Sequence, residues 1–252
     1  MLILLPPSEG KTGRRRGVPM APNTLSFPSL TEHRLAVAAA LADVSSRVDA
    51  AEVLGVSPNL TEEIGRNRAL LSAPALPALE CYSGVLYDAL GYADLSPAAR
   101  RRANRWLVVV SALFGAVRPK DRIAPYRLSM AVNLAGVGPL ASSWKPLLEP
   151  VLTEAAGRGL VIDCRSSTYA VAWSPSGAQT DRWVQIHVPG ATHMAKHTRG
   201  LVAAAICQLD KEPRTPAALA EVLATSTTHS FDVQLAAPAR PGRPWQLSVS
   251  PR

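Results

Sequence analysis

The stretch that decides the fold is "WLVVVSALFGAVRPKDRIAPYRLSM", Trp106 to Met130. Its apolar start predicts a buried strand that ends near Phe114, and Gly115 lets the chain turn. The residues that follow combine charges, prolines and a tyrosine, where an ordinary connection would carry glycine or asparagine. We therefore expect a stiff functional loop with four polar side chains that face a cleft: Arg118, Asp121, Tyr126 and Arg127.

Apolar runs elsewhere in the chain predict further strands, and periodic segments between them predict helices. "MLILL" reads as a buried strand, and "LVID" and "RWVQIHV" read as two more. "SPAARRRAN" predicts a helix with Ser96 at the N-cap and Pro97 at the first helical position. No long linker divides the sequence. We expect one α+β domain over residues 1–252, with a central sheet surrounded by helices.

The composition favours a cytoplasmic protein with anionic partners. The chain has 252 residues, is 47% hydrophobic and carries a formal net charge of +8. Its three cysteines have no disulfide or zinc spacing, which is typical of a reducing compartment. The apolar N-terminus lacks a basic region and is broken by Pro6 and Pro7, so we expect no signal peptide. The arginine excess favours phosphate-bearing partners, although solvated basic faces are also common.

The segment "PPSEGKTG", Pro6 to Gly13, ends like a phosphate-binding loop. The complete motif requires glycine where Leu5 stands and a helix where "GRRRGVP" follows, so a nucleotide-triphosphate loop is excluded. What remains is a polar group just after a buried strand, where ligand sites often form. We expect Ser8, Lys11 and Thr12 to contribute to such a site, while an exposed solvated loop is the alternative.

"HMAKHTRG", His193 to Gly200, predicts a helix with Lys196 and Arg199 one turn apart, a suitable pair for an anion. Lys196 is also a candidate nucleophile or base. His193 and His197 have a spacing that can bind metal, but no third ligand is evident, so we expect no metal site.

The segment "LGVSPNLTEEIGRNR", within about residues 53–71, resembles a helix-hairpin-helix. Such a hairpin presents backbone N–H groups to DNA phosphates without reading the base sequence. On this interpretation the DNA contacts come from Gly55, Ser57, Asn59, Arg66 and Arg68. A plain helical corner explains the pattern equally well.

Taken together, these segments resemble the YaaA family of bacterial peroxide stress proteins. Ser111 to Met130 is similar to the family pattern S-x-L-[FY]-G-x-x-R-P-x-D-x-I-x-P-Y-R-L-x-M, and "CYSGVLYDAL" is similar to Y-x-G-x-x-Y-x-x-L. "AKHTRG" is similar to K-K-x-R-G, with His197 in place of the second lysine. Ser166 and Tyr169 match a Ser-x-x-Tyr turn.

The resemblance implies one mixed domain with a basic cleft, a helix-hairpin-helix-like element that binds duplex DNA, and a role in limiting iron-driven damage by hydrogen peroxide. His197 and the ending "PARPGRPWQLSVS" depart from the family pattern and leave room for another task, such as one in a biosynthetic pathway.

Three hypotheses remain open on the residues themselves. The first is a DNA-associated protection protein. The second is an enzyme acting on a nucleobase, nucleotide or other anionic small molecule, by acid-base or Schiff-base chemistry. Its catalytic candidates are Lys11, Asp121, Tyr126 and Lys196, and Ser8, Thr12, Ser111, Arg118, Arg127, Ser166 and Arg199 are its candidates for anion binding. The third is a buried polar network that only stabilises the core. We expect no cofactor, no membrane association and a monomer.

Overall fold

A computed structural model describes residues 1–190, 192–226 and 229–252. Its strands are β1 (Leu2–Leu5), β2 (Leu76–Pro77), β3 (Leu107–Ser111), β4 (Gly115–Val117), β5 (Arg122–Ile123), β6 (Asn133–Leu134), β7 (Gly138–Pro139), β8 (Val161–Asp163), β9 (Trp183–His187), β10 (Phe231–Ala236) and β11 (Trp245–Pro251). Its helices are α1 (Thr31–Val44), α2 (Ala50–Val53), α3 (Thr61–Arg66), α4 (Ala78–Cys81), α5 (Val85–Leu90), α6 (Pro97–Trp106), α7 (Leu140–Ala156), α8 (Ser167–Ala170), α9 (Thr192–Gln208) and α10 (Pro216–Ala224).

A seven-stranded sheet with the order β10-β11-β9-β8-β1-β3-β4 forms the centre of the protein. The five strands from β11 to β3 are parallel, and an antiparallel strand closes each edge. Ile3 lies opposite Leu107 on one side and Ile162 on the other. Strands β1, β3 and β8 are completely buried, which explains their continuous apolar runs. The predicted mixed fold with a central sheet surrounded by helices is confirmed.

The chain reverses its direction across the sheet at β1. From β1 it passes to β3 on one side, and later it places β8 and then β9 on the other side. The carboxyl ends of these parallel strands meet at one edge of the sheet, and ligands commonly bind where the strand order reverses. The loop after β1, the segment after β8 and the start of α9 therefore come together there.

Local signals account for the ends of several helices. Ser96 caps α6 as predicted, because its Oγ accepts a hydrogen bond of 3.2 Å from the backbone N–H of Ala99. Helix α7 ends at Ala156, and the C-cap residue Gly157 has a φ of 52°, which suits a glycine. Helix α9 packs against both α5 and α6.

The α2–α3 corner consists of two short helices of 4 and 6 residues joined at Gly55, whose φ is 62°. Its helices and glycine have the order that the sequence predicted. The assignment as a helix-hairpin-helix that binds DNA stays a prediction.

Within the described ranges, no helix combines the length and the apolar character that crossing a membrane requires.

Candidate anion-binding cleft

An open cleft of about 510 Å³ lies at the carboxyl edge of the parallel strands. The loop after β1 forms one wall with Ser8 and Lys11, and the segment after β8 contributes Ser166. Helix α9 adds Lys196 and Arg199 to the lining. The position of the cleft follows from the topology, because all three segments leave the sheet at the point where the strand order reverses.

Lys11 occupies a half-buried position between this cleft and an adjoining pocket of about 280 Å³. Its Nζ donates a hydrogen bond of 2.7 Å to the carbonyl of Ser8. The same atom lies 4.1 Å from the centroid of the Tyr126 ring and 5.6 Å from that of Tyr82. Burial is the largest effect and lowers the pKa of Lys11 to about 8; Cys81 raises it by less, and Arg127 and Glu9 make still smaller lowering and raising contributions.

A chain of hydroxyl groups supports the aromatic rings beside Lys11. The Oη of Tyr126 lies 2.7 Å from Ser111 Oγ and 3.1 Å from Tyr82 Oη. Ser111 Oγ also accepts hydrogen bonds from the backbone N–H groups of Leu113 and Phe114. Burial raises the pKa of Tyr126 well above its ordinary value, so the phenol stays protonated and neutral. Ser111 is fully buried and lies behind Tyr126, so it positions the ring rather than lining the cleft.

Helix α9 presents two cations to the cleft. Lys196 is exposed and Arg199 is half-buried, one turn further along the helix. Among the residues that the structure describes, neither side chain is paired with a carboxylate, and the buried Nε of Arg199 has no hydrogen-bond partner. An anionic ligand would supply the missing partner.

The opposite rim carries arginines that are already paired. Arg127 lines both cavities and lies 3.1 Å from Glu9, whose carboxylate is exposed. Arg66 lines the adjoining pocket and forms an ion pair of 2.5 Å with Glu62. Exposed pairs of this kind stabilise proteins by about 1 kcal/mol at most. An anionic ligand would therefore separate these pairs at a small cost in free energy.

The structure does not bring Asp121 and Arg118 to the cleft. The Asp121 carboxylate accepts hydrogen bonds from the backbone N–H of Arg118 at 2.8 Å and from the N–H and Oγ of Ser26 at 3.0 and 2.9 Å. Arg118 reaches the carbonyl of Arg105, and its guanidinium lies 5.2 Å from the ring of Phe27. These two residues tie the loop between β4 and β5 to the core.

The remaining predicted residues fall into two groups, those that line one of the two cavities and those that line neither. Gly55 lines the cleft, and Tyr126 lines the adjoining pocket. Thr12, Ser57, Asn59 and Arg68 line neither cavity. The backbone N–H of Thr12 donates to the carbonyl of Cys81 at 2.8 Å, which fixes the loop after β1 to α4.

The sequence-based site residues do not include four polar residues that line the cleft: Ser83, Ser129, Thr168 and Tyr169, of which Tyr169 is only a family match. Thr168 and Tyr169 follow Ser166 in the polar turn after β8, so their position next to a buried strand was the available signal. Ser83 had no such signal, because a hydrogen bond of 3.1 Å from its backbone N–H to Ser8 Oγ brings it to the site.

The cleft combines unpaired cations with hydroxyl groups and a lysine of lowered pKa, a set that binds anions and can carry out amine chemistry. Among the described residues, no group of three or more His, Cys, Asp or Glu side chains is arranged to hold a metal ion.

Comparison with known proteins gives consistent matches over most of the chain. The family described as peroxide stress protein YaaA matches residues 1–232. A UPF0246 protein of Streptomyces coelicolor is 45% identical over 257 residues, which cover 99% of this chain and 98% of that protein. A UPF0246 protein of Corynebacterium efficiens is 40% identical over 228 residues, covering 88% and 91% of the two chains.

Proposed function

Since the chain belongs to the YaaA family of peroxide stress proteins, we propose that it is a cytoplasmic protein that binds duplex DNA along its cationic cleft and helps limit iron-driven oxidative damage. One observation carries the proposal: the α2–α3 corner and the two cations of α9 line the same cleft. Gly55 and Val56 come from the corner, and Lys196 and Arg199 come from the helix.

The arrangement suits a phosphate backbone. Backbone N–H groups at a hairpin position a phosphate without reading sequence, and lysine and arginine side chains neutralise its charge. The formal net charge of +8 adds a long-range attraction for any polyanion. Arg66 extends the cationic lining into the adjoining pocket, so a phosphate chain can pass from one cavity to the next.

The test is fluorescence anisotropy with a short labelled duplex over a series of salt concentrations. The double variant Lys196→Gln and Arg199→Gln removes two phosphate contacts, so the slope of log K against log salt should fall by about 2. The matched control is Arg240→Gln with Arg243→Gln. These exposed residues lie in the turn before β11, at the amino ends of the parallel strands and therefore away from the cleft. The control removes the same number of positive charges as the test variant. Equal losses in both double variants, or a flat salt response in the unmodified protein, would contradict the proposal.

A second candidate function is favoured by the half-buried position of Lys11. An enzyme that acts on a nucleobase, nucleotide or other anionic small molecule needs a reactive group in an enclosed site, and a non-specific DNA binder does not. Because the Asp121 carboxylate is bonded to Ser26 and Arg118, the residues available for chemistry are Lys11, which lies against the Tyr126 ring, and Lys196, which lines the cleft. Thermal unfolding with single nucleotides and nucleobases tests this candidate, because a ligand that binds only the folded state raises its stability. If the protein binds duplex DNA and none of these small molecules raises its unfolding temperature, the result would favour DNA binding alone.

A further inference from the structure

The backbone around Lys11 is held by contacts with α4 and the residue that follows it. Lys11 belongs to the loop after β1, and two backbone contacts fix that loop: Lys11 forms an isolated antiparallel bridge with Tyr82, and Thr12 donates to the carbonyl of Cys81. Its amine therefore stays at the wall between the cleft and the adjoining pocket. A nucleophile that is held in place before its substrate arrives loses less freedom in the reaction.

Burial and, among the described residues, the absence of a paired carboxylate favour the neutral form of the amine. Within the described part of the chain, no carboxylate lies within ion-pair distance of Lys11. The nearby Glu9 carboxylate is instead bonded to Arg127. The neighbours of Nζ are the carbonyl oxygens of Ser8 and Glu9, at 2.7 and 3.5 Å, and the rings of Tyr126 and Tyr82. The pKa of Lys11, lowered to about 8 by burial, agrees with this geometry.

The unpaired cations of α9 give the same cleft a place for an anionic group. Lys196 and Arg199 offer two positive charges, which match a doubly charged phosphate better than a single carboxylate. The buried Nε of Arg199, which has no partner among the described residues, is a further donor for that group.

We infer that Lys11 forms an imine with an aldehyde or ketone that carries a phosphate group, the phosphate being held by Lys196 and Arg199. This inference rests on the second, enzymatic candidate function. The neutral amine attacks the carbonyl carbon to give a carbinolamine, which then loses its hydroxyl group as water. The C=O bond is replaced by a C=N bond with one water released, and no oxidant or reductant is required.

Reductive trapping with sodium cyanoborohydride, with ribose 5-phosphate as the probe, tests the inference. Cyanoborohydride reduces an imine to a stable secondary amine, and peptide mass spectrometry locates it among the five lysines of the chain. The measured quantity is the label on Lys11 divided by the label on the exposed Lys145 in the same sample, which cancels the reactivity of the sugar. A lysine with a pKa near 8 has about 300 times more neutral amine at pH 7 than one at 10.5. We expect a ratio of about ten or more.

Two comparisons locate the phosphate subsite. The ratio should fall severalfold when ribose replaces ribose 5-phosphate, and again in the double variant Lys196→Gln and Arg199→Gln. Label spread equally over Lys11, Lys145 and Lys211 would overturn the inference, and so would a ratio that is the same for both sugars.

Failure of this inference is distinguishable from failure of DNA binding. The variant Lys11→Arg keeps the positive charge but cannot form the imine, so it should lose the label at this position and still bind the duplex. If Lys11 is not labelled while the duplex still binds with its salt dependence, only the imine is excluded. If Lys11 is labelled selectively and the duplex does not bind, the DNA proposal is excluded and the enzymatic one stands.

Discussion

Asp163 and Arg165 form a fully buried ion pair at the end of β8, with Arg165 Nη2 2.6 Å and Nε 2.8 Å from the carboxylate oxygens. Arg165 also donates to the carbonyls of Tyr169 and Trp173 at 3.2 and 2.8 Å. Because Tyr169 lines the cleft, the pair connects the strand to the wall of the site. Trp183 Nε1 adds a donor to Asp163 at 3.3 Å, so the charge has partners on several sides.

Asp163→Asn should lower the free energy of unfolding by about 3–5 kcal/mol, because it leaves the Arg165 guanidinium buried without a counter-charge. Urea unfolding followed by circular dichroism measures the loss. The control is Asp232→Asn, which breaks the exposed pair with Arg252 and should change stability by about 1 kcal/mol at most. Similar losses for the two variants would mean that the buried pair has no special role.

Gly200→Ala should destabilise the contact between α5 and α9. A Cβ at this position would lie 2.2 Å from the carbonyl oxygen of Leu86 and 2.8 Å from Cβ of Ala89, and backbone atoms cannot move aside as a side chain does. Overpacking of this kind lowers the free energy of unfolding by about 1–3 kcal/mol. Since α9 carries Lys196 and Arg199, the variant should also weaken binding of anions to the cleft. Thermal unfolding and DNA anisotropy together measure both effects.

Gly65→Ala is the matched control for that substitution. In α3 the nearest atom to the added Cβ is the flexible Nη2 of Arg68 at 3.5 Å, so no clash arises. Alanine is favoured over glycine inside a helix by about 0.5–1 kcal/mol, and the control should therefore be neutral or slightly stabilising. If both glycine variants lose stability equally, close packing of α5 on α9 is not the reason for glycine at position 200.

The parts of the fold that the sequence predicted are those with local causes. Buried parallel strands read as apolar runs at β1, β3 and β8, and the Ser96 cap marks the start of α6. The parallel order of the five central strands was not evident. The chain inserts four short helices, α2 to α5, between β1 and β3, which hides the regular alternation of strand and helix.

The candidate site was predicted in part for a related reason. The sequence predicts ligand residues after β1 and β8 because polar groups follow buried strands there, and in α9 because Lys196 and Arg199 are three residues apart. All three segments line the cleft. Asp121 and Ser111 have the same polar character in the sequence, yet their partners are Ser26 and Tyr126. Only long-range contacts distinguish a side chain that faces a ligand from one that supports a turn.

Lys11 should react with amine reagents half-maximally near pH 8. Burial disfavours its charged form, so the neutral amine predominates above that pH, whereas lysines ordinarily need about pH 10.5. Competitive acetylation with isotopically distinct reagents, quantified by mass spectrometry from pH 6 to 10, measures the profile, with Lys145 as the internal reference for reagent reactivity. A midpoint above pH 10 would contradict the burial effect.

The same shift predicts a pH dependence of stability. Between pH 8 and 10.5 the Lys11 amine is protonated in the unfolded chain and neutral in the folded protein. In this range the unfolded state binds more protons than the folded state. The stability contributed by this group therefore rises with pH across that window. The free energy of unfolding of the wild type, relative to Lys11→Met, should therefore increase from pH 8 to 10. A difference that falls over this range would contradict the lowered pKa.

The three cysteines should resist hydrogen peroxide while the protein is folded. Cys81, Cys164 and Cys207 are buried, and burial raises the pKa of each thiol to about 12. Peroxide attacks the thiolate, which is nearly absent at neutral pH under these conditions. Treatment with peroxide and dimedone, followed by mass spectrometry, should therefore give no sulfenic acid adduct in buffer, and adducts on all three cysteines in urea, where the thiols regain ordinary pKa values. Rapid labelling of any of them in the folded protein would make that thiol a candidate peroxide sensor. If none is labelled, oxidation of these three thiols is excluded as the way in which the folded protein responds to peroxide.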